Sequence, residues 1–301
     1  MALKPVTACM IALNEAEFIG HNLRSHLALP WIDQFVIVEG AVDKYVHAAG
    51  PDSHSNDGTI DIIKDIQKNH PQGQKIELIT GKWRDKEQQR NAYLEKVRNG
   101  WILLIDADEF YREEEITKVV ETAQIQDLDC IVFPHRHFWH DFHHYAYSVG
   151  WCKTQLRFSK FKKGWKYNVH YTLSDDKGRN LQWDGAYRNT RAYASNCVNL
   201  AYKKEDLAGG ILPLKCWIYH CGYARDRQYM VDKLAFYRKR DKKDNASDDK
   251  IKAEVEKNSS WFDPRWFQGL NCDPATVFKY GGPWPSAIEA HPRFQELIIK
   301  D

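Results

Sequence analysis

No stretch of the chain approaches the ~18 to 20 consecutive apolar residues of a membrane-spanning helix. The first residues lack the basic and apolar regions of a secretory leader. Cysteine is sparse: seven residues, an odd number, scattered singly with no Cys-x-x-Cys pair. That pattern argues against a zinc ribbon or a disulfide framework, and the expectation is reduced thiols in a cytoplasmic protein. Internal repeats and long low-complexity tracts are also missing. What remains is a 301-residue chain able to bury a sizeable core as one large domain or two fused lobes.

The most informative segment is Gly100-Trp101-Ile102-Leu103-Leu104-Ile105-Asp106-Ala107-Asp108-Glu109-Phe110. An apolar run of strand length ends in two carboxylates one residue apart. Residues i and i+2 of a strand point the same way, so Asp106 and Asp108 are expected to share a face. Two acids at the end of a buried strand call for a cation, unless the strand simply runs into an acidic surface turn. A hard divalent ion, Mg²⁺ or Mn²⁺, suits carboxylate and phosphate oxygens.

Upstream, apolar runs alternate with helical patterns. Strands are expected at Val6–Ile11, Gln34–Gly40 and Lys75–Thr80, and helices from Ala16 to about Leu29, Ile60–Asn69 and about Asp85–Val97. Asp57 and Thr59 are placed to cap the second helix. The order β-α-β-α-β-α-β predicts an α/β protein with a parallel, doubly wound sheet. Ligands of such sheets bind at the carboxyl ends of the strands, where Asn14-Glu15, Glu39, Asp57 and Asp106/Asp108 all fall.

These pieces together resemble a nucleotide-sugar glycosyltransferase of the GT-A fold, close to the family 2 type. The matching motifs are Ala12-Leu13-Asn14-Glu15, the segment from Glu39-Gly40 to Ser55-Asn56-Asp57-Gly58-Thr59, Arg90-Asn91 and the DxD motif Asp106-Ala107-Asp108. A looser match continues through Gln155–Phe161 with Arg157, Val169-His170, and Ile218-Tyr219-His220-Cys221-Gly222-Tyr223 before a Lys- and Tyr-rich helix starting near Arg227. The resemblance implies a Rossmann-like, mostly parallel sheet flanked by helices. It implies a nucleotide-sugar-binding half at about residues 1–125 and an acceptor-binding half at 126–301, joined as one continuous unit. It further implies that Ala12, Leu13, Asn14, Glu15, Glu39 and Asp57 line the donor nucleoside. Arg90 would approach the nucleotide or hold the acids. Asp106 would lean toward the ribose or a metal water and Asp108 toward the metal, with a late histidine completing the site: His220 first, His170 second. Leu13 departs from a common aromatic, Glu39 from the Asp that usually reaches the base, and the loop 40–56 is long.

The reaction implied is transfer of a sugar, UDP-sugars favoured, to an acceptor hydroxyl with inversion. Inversion needs a base. The acidic motif often found after the DxD is absent, and the candidates are Asp141, Asp184 and Glu109. The charge is uneven: residues 1–150 hold 15 Lys and Arg against 23 Asp and Glu, whereas residues 151–260 hold 24 against 13. A basic, aromatic-rich second half suits a glycan or small acceptor bearing phosphate, and it also fits a nucleic acid. Two alternatives therefore stand beside the first: transfer to a hydroxylated base in DNA, which would have to be flipped out, and a non-catalytic sugar- or nucleic-acid-binding module. A nucleotidyltransferase would carry a Gly-rich basic loop after the first strand, unlike Leu13-Asn14-Glu15-Ala16. His135, His137, His140, His143 and His144 read either as a zinc-type site or as a pH-sensitive acceptor loop. The Trp- and Pro-rich segment 261–294 is expected to wrap the core or form a lid.

Overall fold

The computed structural model describes residues 3–98, 100–147, 155–169, 172–175, 199–202, 210–212, 215–242, 247–257 and 276–298. The first half runs β1 (Val6–Ala12), α1 (Ala16–Leu27), β2 (Ile32–Glu39), α2 (Thr59–Asn69), β3 (Ile76–Thr80), α3 (Lys86–Lys96) and β4 (Gly100–Leu104). These are the expected elements in the expected order. The strands pair in parallel as β3-β2-β1-β4, with Ala12 beside Glu39 and Thr7 beside Ile102. Strands covered on both faces read as continuous apolar runs, and β1 is buried along nearly its whole length. Helix α1 turns Phe18, Ile19, Leu23 and Leu27 inward at helical spacing.

The second half supplies β5 (Glu109–Phe110), α4 (Glu113–Ile125), β6 (Cys130–Phe133), β7 (His135–Trp139), β8 (His144–Tyr147), β9 (Gln155–Phe161), β10 (Lys166–Val169), β11 (Thr172–Ser174), β12 (Asn199–Tyr202), β13 (Gly210–Leu212) and β14 (Ile218–Tyr223). Helices α5 (Arg227–Lys242) and α6 (Asp248–Lys257) and strand β15 (Thr276–Lys279) follow. Beyond β4 the main sheet continues antiparallel, in the order β13-β12-β6-β9-β4-β1-β2-β3. The 125/126 division therefore passes through one eight-stranded sheet. Trp101 of β4 stacks on Phe158 of β9, ring centroids 4.8 Å apart, so the two halves share a core. A second, five-stranded sheet, β15-β8-β7-β14-β5, stands at the carboxyl end of β4.

Of the segment 261–294, residues 276–294 are described. β15 pairs with β8, and Trp284 donates its indole N–H to the Phe142 carbonyl at 2.7 Å, so this stretch wraps the second sheet. The four described cysteines, Cys9, Cys130, Cys216 and Cys221, are buried. Among the described residues, no helix is long and apolar enough to cross a membrane.

His26 of α1 is buried, with Nδ1 2.8 Å from the Asn22 carbonyl. Burial pushes its pKa down to about 4, against the pull of that carbonyl. The unfolded imidazole protonates near pH 6.5 and the folded one only near pH 4. Stability is therefore full above pH 6.5 and falls as pH drops toward 4, by about 3 kcal/mol if the whole shift is expressed. Urea midpoints at pH 7 and pH 4.5 should show this loss, and His26→Gln should flatten it.

Candidate functional site

Strand β4 ends at Leu104, and the chain then turns, with the Glu109 N–H donating to the Asp106 carbonyl at 3.0 Å. Asp106 and Asp108 therefore sit in a turn rather than on one strand face. The turn is forced because Glu109–Phe110 must pair antiparallel with β14. As a result the two acids take different partners. Asp106 accepts from the Arg157 guanidinium at 2.9 Å. Asp108 lies 3.9 Å from His220 Nε2 and 3.8 Å from an Arg225 nitrogen.

Arg157 is buried on β9 and holds both Asp106 and the buried Glu109. Burial alone would raise the Asp106 carboxyl, but Arg157, then Arg90 and Lys86, outweigh it and hold it well below the ordinary range. Glu109 also accepts from His135 Nε2 at 3.1 Å and from the Asp106 N–H at 3.3 Å. Asn22 pins the turn from below, donating to the carbonyls of Asp106 and Glu109 at 3.2 and 2.6 Å. Glu109 is thus a buried anchor for the turn, with its carboxylate committed, and not an exposed base.

Asp108 is likewise held below its ordinary pKa: burial opposes this, and His220, Lys233 and Arg225 overcome it. Burial also lowers His220, more than the Asp108 charge raises it. His220 is accordingly a neutral imidazole at pH 7, and the lasting countercharges to Asp108 are Lys233 and Arg225. Lys233 of α5 donates to the Gly222 carbonyl at 2.7 Å. Arg225 is sandwiched between Phe18 and Tyr229, at 4.3 and 4.4 Å from the ring centroids, and pairs with Glu15, Glu17 and Asp108. Glu15 is raised to about 7, because burial and the nearby Asp108 charge outweigh Arg225. Glu15 therefore belongs to the acid cluster beside Asp108.

Gly222 makes the approach of Asp108 and His220 possible. A Cβ there would lie 2.6 Å from Asp108 Oδ2 and 2.8 Å from His220 Nε2. Gly222→Ala should leave the fold intact and cut activity by roughly tenfold or more, because one of the two groups must move ~0.5 Å or more off its position. Activity and melting temperature measured side by side would separate this from a folding defect.

The remaining motif residues build the frame. Ala12 is buried and its carbonyl accepts the Gly40 N–H, while Leu13 is half-buried beside it. Asn14 adopts φ 54°, a left-handed conformation asparagine tolerates. It ties down the 48–56 loop through the Ala48 carbonyl, the Ser55 hydroxyl and the Asn56 N–H. Asp57 accepts from the Ala16 N–H and the Thr59 N–H at 2.9 and 3.0 Å, so one carboxylate caps both α1 and α2. Thr59 lies inside α2 rather than capping it, and its hydroxyl accepts the Glu15 N–H. Glu39 is fully buried, accepting from the Ser55 N–H and from His54 Nδ1 at 2.7 and 2.8 Å. It braces the long loop. Arg90 is buried over the Tyr167 ring and its charge acts on Asp106.

Asp141 is also buried. It accepts from the His143 N–H, from His144 Nδ1 and from the Ile298 N–H, tying the β7–β8 turn to the C-terminal segment. Its carboxylate is engaged in these bonds, a structural role beside its reading as a candidate base. Asp184 and His170 lie outside the described residues. The histidine cluster divides in two. His135 and His137 face Glu109 and His220, with His137 Nδ1 3.0 Å from His220 Nδ1, whereas His143 and His144 serve Asp141. It is neither a single metal set nor an exposed loop. Arg225 stands outside the motifs; its one sequence signal is its place three residues after Gly222, where a buried acid cluster needs a cation.

Among the described residues, no three His, Cys, Asp or Glu side chains are grouped to hold an ion by themselves. Asp108 and His220 make a two-ligand set, an oxygen and an imidazole nitrogen over a space that a Cβ at Gly222 would fill. Such a set fits Mg²⁺ or Mn²⁺, which keep several positions for water and phosphate oxygens.

A parallel β4-β1-β2-β3 sheet, extended antiparallel beyond β4, whose fourth strand leads into an Asp-Ala-Asp turn beside a late histidine, defines a GT-A glycosyltransferase. Residues 7–180 match the model of glycosyl transferase family 2, and the chain belongs to that family. Over 88 residues it is 35% identical to the SPbeta prophage-derived glycosyltransferase SunS of Bacillus subtilis, a match covering 28% of this chain and 19% of that protein. The matched stretch thus spans about a fifth of the length of that relative. Among solved structures, the mannosyltransferase PcManGT from Pyrobaculum calidifontis in complex with GDP-Man and Mn²⁺ aligns at 13% identity, covering 87% of this chain and 70% of that one, with a TM-score of 0.44. S. aureus TarS 1-349 in complex with UDP aligns at 11% identity over 88% and 72% of the two chains, with a TM-score of 0.39.

Proposed function

We propose that the protein is a metal-dependent glycosyltransferase, moving a sugar from a nucleotide-sugar donor, UDP-sugars favoured, to a hydroxyl of a glycan or other small acceptor with inversion. The observation that carries this reading is the Asp108–His220 pair, 3.9 Å apart across the space that Gly222 leaves open. When bound there, Mg²⁺ or Mn²⁺ would supply a Lewis acid and template for the charge that builds on the leaving diphosphate. The chain's own residues prepare the site. Arg157 keeps Asp106 ionised and aimed. Lys233 and Arg225 keep Asp108 ionised while His220 keeps a nitrogen lone pair. Arg90 and Lys86, whose charges already reach Asp106, add positive potential on the side where the diphosphate would lie.

A melting-temperature panel of UDP-, GDP-, CMP- and dTDP-sugars, each with Mn²⁺ and with EDTA, tests the reading. Ligand binding to the folded state raises the midpoint by mass action. The expected result is an upward shift with UDP-sugars that EDTA abolishes. A shift of equal size in EDTA would remove the metal from the proposal, and silence across the panel would remove the donor.

A further inference from the structure

The second sheet has two faces. Glu109, His137 and His220 are register partners and turn toward the acid cluster. Tyr219 pairs with Phe110 on one side and Arg136 on the other, so these three residues lie on the opposite face. Arg136 there sits within rings: its guanidinium carbon is 4.3 Å from the Tyr280 centroid, 4.6 Å from Trp217, 5.3 Å from Tyr219 and 5.4 Å from Tyr145. Arg112, Arg157, Arg225 and Arg293 each hold a carboxylate. Among the described residues Arg136 holds none, and its Nε is buried with no acceptor. Tyr219 and Tyr280 bond their hydroxyls to each other and to the Pro283 carbonyl, beyond the rings that face Arg136.

Rings above and below a guanidinium stabilise its charge but accept none of its in-plane N–H groups. A guanidinium edge with open donors is the natural partner of a two-oxygen anion, bound bidentately. The cage is open: Arg136, Trp217 and Tyr145 are only half-buried. Half-exposed Trp and Tyr faces beside such an edge offer apolar walls for the C–H face of a sugar ring. We propose that Arg136, with Trp217 and Tyr145 as walls, forms a second binding site, on the sheet face away from the acid cluster, for a saccharide bearing a carboxylate or phosphate. The site would hold an acidic stretch of a saccharide chain independently of donor binding, and it stands whether or not the metal-dependent reading holds.

The wild-type protein is titrated at constant ionic strength with glucuronate, glucose 6-phosphate, glucose and inorganic phosphate, following tryptophan emission and heat of binding. Saturable binding of at least one acidic sugar is expected, with glucose and inorganic phosphate each weaker by roughly tenfold or more. The two acidic sugars tell a carboxylate ligand from a phosphate ligand. Arg136→Met should abolish the response to both. Trp217→Leu, at a half-exposed position, should weaken the acidic sugars and leave inorganic phosphate unchanged. If Arg136→Met does not fold, Trp217→Leu decides. The proposal is overturned if neither acidic sugar saturates, if the variants bind them as the wild type does, or if inorganic phosphate binds as tightly as they do.

Discussion

Asp108→Asn will remove donor binding that depends on Mn²⁺ and lower turnover by about three orders of magnitude, a loss of ~4 kcal/mol in transition-state stabilisation. The substitution keeps shape and removes charge. Asp108 contributes the carboxylate oxygen 3.9 Å from His220 Nε2, and that oxygen is what a divalent ion would share with the imidazole. The fold should not suffer. Asp108 is buried next to Glu15, whose pKa its charge helps to raise to about 7. Removing that charge relieves Glu15, and Arg225 keeps its contacts with Glu15 and Glu17. Calorimetric titration of a UDP-sugar with Mn²⁺, alongside urea unfolding, reads both quantities. Donor binding that survives with wild-type affinity would dismiss Asp108 as a ligand. His220→Ala should share the binding defect.

Arg157→Met should be the most destabilising single change near the site, costing about 3–5 kcal/mol, because it leaves the buried Glu109 and the half-buried Asp106 without their cation. Asp106 and Glu109 both lean on this one guanidinium. The loss will be largest at neutral and high pH and will shrink as acid protonates Asp106, whose carboxyl Arg157 holds below its ordinary range. A urea series from pH 8 to pH 4 measures this, and a stability loss independent of pH would falsify the ion-pair account. Activity should fall as well, since Asp106 loses the contact that aims it.

The sheet was legible because buried strands carry apolar runs, as β1, β4 and the Phe35–Val38 part of β2 do. The antiparallel extension was not. β9 pairs with β4 across more than fifty residues, and nothing in Gln155–Phe161 says which edge it joins. Among site residues, the motifs marked where chemistry gathers but not which carboxylate faces outward. Glu39 and Asp141 read as candidates because acids near strand ends are usually solvated. Their burial depends on the 40–56 loop and the C-terminal segment folding over them, through Ser55 and Ile298. Gly222 was visible only as a letter in a motif. Its reason, the clash of any Cβ with Asp108 and His220, needs the turn that brings β5 against β14.

The shared sheet has a corollary for chimeras. Asp106 is encoded before residue 125 and the arginine that keeps it charged after it, on a strand wedged between β4 and β6. A graft of a foreign second half onto residues 1–125 would import a different β9. Unless that strand carried its own arginine in register, the graft would strip Asp106 and Glu109 of their shared cation.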